Sequence, residues 1–458
     1  MQRLLTRQAL SYLRFFAKKA LATHRPTIIG VAGSVGKSST RNALEAILKD
    51  HFPTTSVGNS ETGIPLGILG MKPESYTKRD WLTMLAKTPF NLDFLKGIKY
   101  LIAEMGIDDP FPPKNMTYLL TILKPEIAIV LNESATHSMQ FDKALSKERR
   151  AESKEQQLTY VVQKIAQEDC KIITESGCKV GIINGDDENI VTVVKEKQKT
   201  LQAKILTFGT KNTNAISYDN YKVGLQGSTF HFFLRQEDKH DEFTITFPRH
   251  ILPKEYREVF AAAILASLQA GLTLPQIKAS LEKNYEPPKG RSSLFAGIND
   301  SIIIDSSYNA SKASATAFLD LVDTLKKETN RNVVFLLGDM RELGQEARIE
   351  HEAVAQKLLG IVDYLYLVGP LTRQYILPVV QQQETRLLEI RWFDTALRAG
   401  EYLENNVPKQ SIVLVKGSQN TIFLEEAVKE ILRDKTDSNK LCRQDEYWEK
   451  VKATSAKR

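Results

Sequence analysis

The chain has 458 residues, 42% of them apolar and 26% charged, enough for two or three domains with sizeable cores and too apolar for wholesale disorder. Its net charge of +7 gathers at one end, where Arg3, Arg7, Arg14, Lys18, Lys19 and Arg25 occur with no acid among them, a placement that argues against a protein-wide nucleic-acid surface. Cys170, Cys178 and Cys442 neither pair in number nor show zinc spacing, no cleavable leader is visible, and no run approaches the roughly 18 apolar residues of a membrane span, so a cytoplasmic setting is expected.

Residues 1–25 read as a basic amphipathic helix, with Leu5, Ala9, Leu13, Phe16 and Ala20 on one face and Arg7, Arg14 and Lys18 on another. Such a helix either packs on the domain that follows or lies on an anionic membrane surface. From residue 27 apolar runs alternate with helical patterns: "TIIGVAG", "YLIAEMG" at 100, "IAIVLNE" at 127 and "VGIINGDD" at 180. That alternation predicts a mostly parallel sheet covered by helices, with ligands at the carboxyl ends of the strands. Those ends carry Gly33, Glu104, Asn132 and Asn184.

Between Ser217 and Phe247, β-rich segments and turn residues replace the helical period, predicting an antiparallel extension of the sheet. A helix from about Lys254 to Ala270 follows, and "NYEPPKGRSS" reads as a linker stiffened by two prolines. Beyond it "SIIIDSS", "VVFLLGD", "YLYLVG" and "SIVLVKGS" start the alternation again. The expected organisation is an N-terminal helix (1–25), a central α/β domain built on a phosphate-binding loop (26–286), a second, Rossmann-like α/β domain (287–433) and a charged tail (434–458) that Tyr447 and Trp448 could anchor.

The strand–turn–helix at "VAGSVGKSST" carries the chemistry. Backbone N–H groups of Gly33, Ser34, Val35 and Gly36 and the helix N-terminus would cradle a polyphosphate, Lys37 would add charge, and the hydroxyls of Ser38 and Ser39 follow, Ser38 suited to Mg²⁺. The general motif's first glycine would fall at Val31, with Gly30 and Gly33 flanking it instead.

A loop of the form G-x-x-G-S-x-G-K-S resembles that of the Mur ligases, ATP-dependent amide-forming enzymes of peptidoglycan synthesis. "AEMGIDDP", "VLNESATHSMQF" and the ordered segments "PPKGRSS", "IIIDSSYNASKASATAFLDLV", "LLGDMRELGQEARIEHEAVA" and "VLVKGSQNTIFLEEAVKEIL" extend the resemblance from about residue 26 to 432, with most likeness to the branch that adds D-alanyl-D-alanine. The resemblance implies ATP and Mg²⁺ as cofactors, with a cell-wall carboxylate as acceptor and D-alanyl-D-alanine as amine. It puts Ser38, Glu104 and His137 on the metal and makes Lys37, His137 and Arg291 catalytic, Arg291 being carried to the transferred phosphate by domain closure over 285–293. Asp305, Ser306, Tyr308 and Asn309 match the nucleotide loop of the second domain, Asn59, Ser60, Glu61 and Thr62 the acceptor side, and Lys416 and Ser418 the amine side.

Lys312 replaces a proline of the pattern, and three departures bear on the site. Asp169 stands where a carbamylated lysine is expected, leaving either Asp169 itself or a modified Lys171 to serve a second metal. Glu258 replaces an asparagine expected near adenine, and Ser306 replaces an acid expected near the ribose. Only about thirty residues precede the loop, so the family's usual UDP-binding domain is expected to be lacking. Ligation of another amino acid, to folate or to another wall intermediate, and a non-catalytic ATP-binding scaffold remain as alternatives.

Overall fold

The computed structural model describes residues 2–73, 77–134, 138–236, 239–341, 343–383, 387–418 and 421–455. Two compact units emerge, one of residues 1–220, 231–245 and 256–286, the other of 221–230, 246–255 and 287–458.

The first sheet has nine strands: β1 (Thr27–Ala32), β2 (Thr54–Val57), β3 (Tyr100–Glu104), β4 (Ile127–Val130), β5 (Val180–Asn184), β6 (Lys204–Gly209), β7 (Ile216–Gly224), β8 (Gly227–Gln236) and β9 (Lys239–Phe247). Their order is β2-β3-β1-β4-β5-β6-β7-β8-β9. Parallel pairing runs from β2 to β7, and the central strands β1, β3, β4 and β5 read as apolar runs because helices cover both faces. Only Leu225 and Gln226 join β7 to β8, a connection short enough to require antiparallel pairing. The α/β class expected from the sequence, antiparallel extension included, is the one observed.

Central strand β1 buries Ile29, Val31 and Ala32 completely. Gly30 allows the close approach of the short helix Lys171–Thr174, since a Cβ there would lie 2.8 Å from Ile172 Cδ1. Helix Tyr256–Gln269 is buried without a break from Val259 to Ser267, the mark of an interior helix, and it packs against helix Lys37–Leu48. Glu104 and Asn132 therefore emerge beside the loop after β1, because β3 and β4 are the strands flanking β1.

The second sheet comprises β10 (Ser293–Ala296), β11 (Ile302–Ser306), β12 (Val333–Gly338), β13 (Tyr364–Val368), β14 (Glu389–Phe393) and β15 (Ile412–Lys416), in the order β10-β11-β15-β12-β13-β14. All pairs are parallel except β10 with β11. Separate apolar cores lie on its two faces, one containing Phe335, Leu337 and Leu414, the other Leu336, Tyr366 and Val415. Ser306 pairs in register with Lys416, which places the ends of β11 and β15 together.

Candidate active site

The loop after β1 turns on Gly33 and Gly36, whose φ of +122° and +94° suit glycine and strain other residues. Helix Lys37–Leu48 starts directly on Gly36 with no side chain capping it, leaving its first N–H groups to an anion. Lys37 Nζ donates to the carbonyls of Gly33 and, at 3.3 Å, of Ser34. Asn59 to Thr62 lie next to this lysine: Gly106 N donates to Asn59 O at 3.2 Å, and a Cβ on Gly106 would stand 3.1 Å from that oxygen and 3.7 Å from Lys37 Cε. Within this segment the Ser60 and Thr62 hydroxyls are bonded at 3.2 Å and Ser60 Oγ accepts Gly63 N at 3.0 Å. Glu61 is half-buried and acts electrostatically on Tyr118.

Two carboxylate positions flank the loop. On the β3 side, Ser38 Oγ donates to both oxygens of buried Glu104, and Arg41 Nη1 reaches Glu104 Oε2 at 3.1 Å. On the β4 side, Asn132 braces the loop by accepting Ser34 N on its carbonyl at 2.8 Å and Val35 N on its side chain at 3.0 Å. Its amide in turn donates to Glu258 Oε2 at 2.8 Å. Ser39 is buried in the same helix turn near Tyr285, whose phenol is pushed well up by burial.

Next to Asn132, Glu133 accepts the Ser34 hydroxyl at 3.2 Å, while its backbone N–H donates to Asp187, the cap of helix Glu188–Lys197. The Glu133 and Asp169 carboxyls lie within hydrogen-bonding reach of each other, yet Glu133 Oε1 and Asp169 Oδ1 are buried without a partner. Burial pushes Asp169 up to about 6 against the pull of Lys37, and pushes Glu133 well above the usual carboxylate range with Asp169 and Asp187 adding repulsion. Two ionised carboxylates at such range repel, so a proton or another cation belongs between them.

Lys171, by contrast, donates to Glu168 at 2.6 Å and Thr117 at 2.9 Å. Asp169, not Lys171, is thus the side chain that faces the loop after β1, where Lys37 acts on it. His137 lies outside the described residues. Among the described residues no three His, Cys, Asp or Glu side chains form a ready metal cage.

In the second unit Asp305, Ser306, Tyr308, Asn309, Lys416 and Ser418 form one cluster. Buried Lys416 Nζ donates to Ser306 O at 3.3 Å, to Ser306 Oγ at 3.2 Å and to Asn309 O. Ser418 Oγ bonds Asn309 Oδ1 and accepts Arg341 N, both at 3.2 Å. Burial, with Arg291 nearby, pulls Lys416 down to about 7, against Asp305. Asp305 is pushed up to about 6 by its own burial, although Ser307 N donates to it at 3.0 Å. Arg291 stands over the Tyr308 ring at 4.8 Å, and Arg443 lies 5.1 Å from the same ring. Arg443 also donates to Tyr308 O and pairs with wholly buried Glu425 at 2.7 Å.

Known proteins are similar to this chain in sequence and in fold. Residues 290–419 match the family model "Mur ligase, glutamate ligase domain". Over that span the chain is similar to the Mur ligases. It is similar to the UDP-N-acetylmuramoyl-tripeptide--D-alanyl-D-alanine ligase of Buchnera aphidicola, 24% identical over 76% of this chain and 64% of that one, so this alignment spans less than two thirds of that relative. The Bacillus subtilis enzyme of the same name is 25% identical over 94% of this chain and 81% of its own. The MurF ligase of Thermotoga maritima, solved in complex with ADP, shares the fold with a TM-score of 0.68 at 19% identity, covering 92% of this chain and 83% of that one.

Sequence reasoning picked out Asn132 only as a strand end and gave no role to Glu133, Arg41 or Arg443. The signal for Asn132 and Glu133 was their position at the carboxyl end of β4, beside β1. Arg443 gave none, since it comes from a tail whose Leu441, Cys442 and Arg443 prove buried.

Proposed function

We propose that this chain is an ATP-dependent, ADP-forming ligase that joins D-alanyl-D-alanine to a carboxylate of a peptidoglycan precursor. Support comes from the names of its relatives, the glutamate ligase domain match, and one observation above all: oxygen-rich positions at Ser38–Glu104 and Glu133–Asp169 flank the loop that carries Lys37. These hard oxygen donors, two of them buried without partners, fit Mg²⁺. Ser38, Glu104, Glu133 and Asp169 would hold it, together with His137, and the bound ion would neutralise phosphate charge.

The loop N–H groups and Lys37 bind and orient the triphosphate. An oxygen of the acceptor carboxylate, presented from the Asn59–Thr62 side, attacks the terminal phosphorus and ADP leaves, giving an acyl phosphate. The dipeptide's amine then attacks the acyl carbon, inorganic phosphate departs, and the amine's proton goes to a base. A carboxylate resists direct attack because its leaving group would be oxide; phosphorylation removes that obstacle. Lys37 supplies a cation for the phosphoryl charge. Three free, buried cysteines fit a reducing, cytoplasmic setting.

The test supplies acceptor labelled with ¹⁸O in the carboxylate, dipeptide and ATP. The expected result is ADP formation that requires both partners, with one ¹⁸O appearing in the released phosphate. Release of AMP, or unlabelled phosphate, would overturn the reading.

A further inference from the structure

Helix Gln2–His24 uses its apolar stripe on the first unit, where Leu10, Leu13, Ala17 and Ala20 are all buried. The reverse face remains open and is unusual in composition. Arg7, Gln8, Ser11, Tyr12, Phe15, Lys18 and Lys19 are exposed along it, with Phe15 62% accessible at its centre, and no acid occurs in the helix.

The elements that this helix packs against continue the character. Helix Lys78–Lys87 and the two 3₁₀ turns, Thr88–Phe90 and Leu92–Leu95, all touch it, and His24 holds Leu92 O at 3.1 Å. They expose Leu82, Phe90 (85% accessible) and Phe94. Five of the nine large hydrophobic side chains exposed among the described residues thus belong to this one corner. Lys78, Arg79, Lys87, Lys96 and Lys99 stand exposed in the same segment, against Asp80 in a helix first turn and Asp93 beside His24.

A polynucleotide would use the cations but gain little from Leu82 or a fully projecting Phe90. Aromatic and aliphatic side chains set among lysines and arginines, with acids nearly absent, match the headgroup boundary of a bilayer bearing negative lipids, where rings insert and cations meet phosphates. No helix among the described residues is long and apolar enough to cross a membrane. The geometry points to a peripheral lipid-binding surface, formed by the outer face of residues 7–19 with Leu82, Phe90 and Phe94, that seats the protein on an anionic bilayer. This goes beyond the ligase reading and does not depend on it.

The experiment sediments the full chain with vesicles of phosphatidylcholine containing about 30% phosphatidylglycerol and with phosphatidylcholine alone. The expected result is binding at least about tenfold tighter to the anionic vesicles, falling to the neutral level in a Phe15→Ser/Phe90→Ser variant and in a Lys18→Glu/Lys19→Glu variant whose melting curves match the parent. Equal binding to both vesicles overturns the proposal. So does undiminished binding of the aromatic variant, which would mark plain charge adsorption, or a parent dimer in sedimentation velocity that the aromatic variant abolishes, which would make a second copy the occupant. Should a variant melt early, the parent's emission quenching by brominated phosphatidylglycerol decides, since Trp81 lies in this corner; no quenching overturns the proposal.

Discussion

The Ser38 hydroxyl donates to both carboxylate oxygens of Glu104, at 2.9 and 3.0 Å, so that one hydroxyl spans the whole carboxylate face. Arg41 binds the same group from the side. Glu104→Gln keeps the shape but removes the charge that both partners use. Turnover measured by phosphate release is expected to fall about 100-fold or more. Because Arg41 loses its buried partner, a melting curve is expected to show about 1–3 kcal/mol of lost stability.

In the proposed site Asp169 would supply an oxyanion without chemical modification, while Lys171 is already occupied by Glu168 and Thr117. Added bicarbonate is therefore expected to leave turnover unchanged. Lys171→Met is expected to stay within about threefold of the parent, and Asp169→Asn to lose about 100-fold. Activity that depends on bicarbonate and dies with Lys171→Met would reverse the assignment.

The phosphate loop was legible because it is local: strand, two glycines, Lys37 and a helix follow one another in ten residues. The alternation of apolar runs likewise exposed both sheets, since strands buried on two faces need no partner's identity to be read. What stayed hidden joins distant parts of the chain. Asn132 bonds residues 34, 35 and 258, and Arg443 reaches back to Tyr308. Periodicity reports the face a side chain takes, not the partner it meets there. The same limit applies to Tyr285, which opens a segment read as a linker and is nevertheless buried.

Asp305 is fully buried with Oδ2 unpartnered, and its pKa is raised from 3.8 to about 6. Between these two values the folded protein binds a proton that the unfolded chain has released, so stability falls as pH rises through this window. Asp305→Asn removes the penalty while keeping an acceptor for Ser307 N. At pH 7 the variant is expected to be more stable by up to about 3 kcal/mol, with the difference vanishing below about pH 4. Denaturant titrations at both pH values read this out. Nucleotide binding is expected to weaken in the same variant, since the carboxylate stands in the proposed nucleotide loop.

Lys416 titrates in the opposite sense. Three oxygens, Ser306 O, Ser306 Oγ and Asn309 O, favour its ammonium, while burial and Arg291 disfavour it, leaving it at about 7 rather than 10.5. Between those values the unfolded chain carries a proton that the folded protein lacks, so this group makes stability rise with pH from about 7 toward 10. Lys416→Met preserves the length of the side chain and abolishes the titration. Relative to that variant, the parent is expected to gain up to about 4 kcal/mol between pH 6 and 10, most of it above pH 7. A parent and variant whose stabilities stay parallel across this range would mean that Lys416 remains charged in the fold, with its three acceptors outweighing burial.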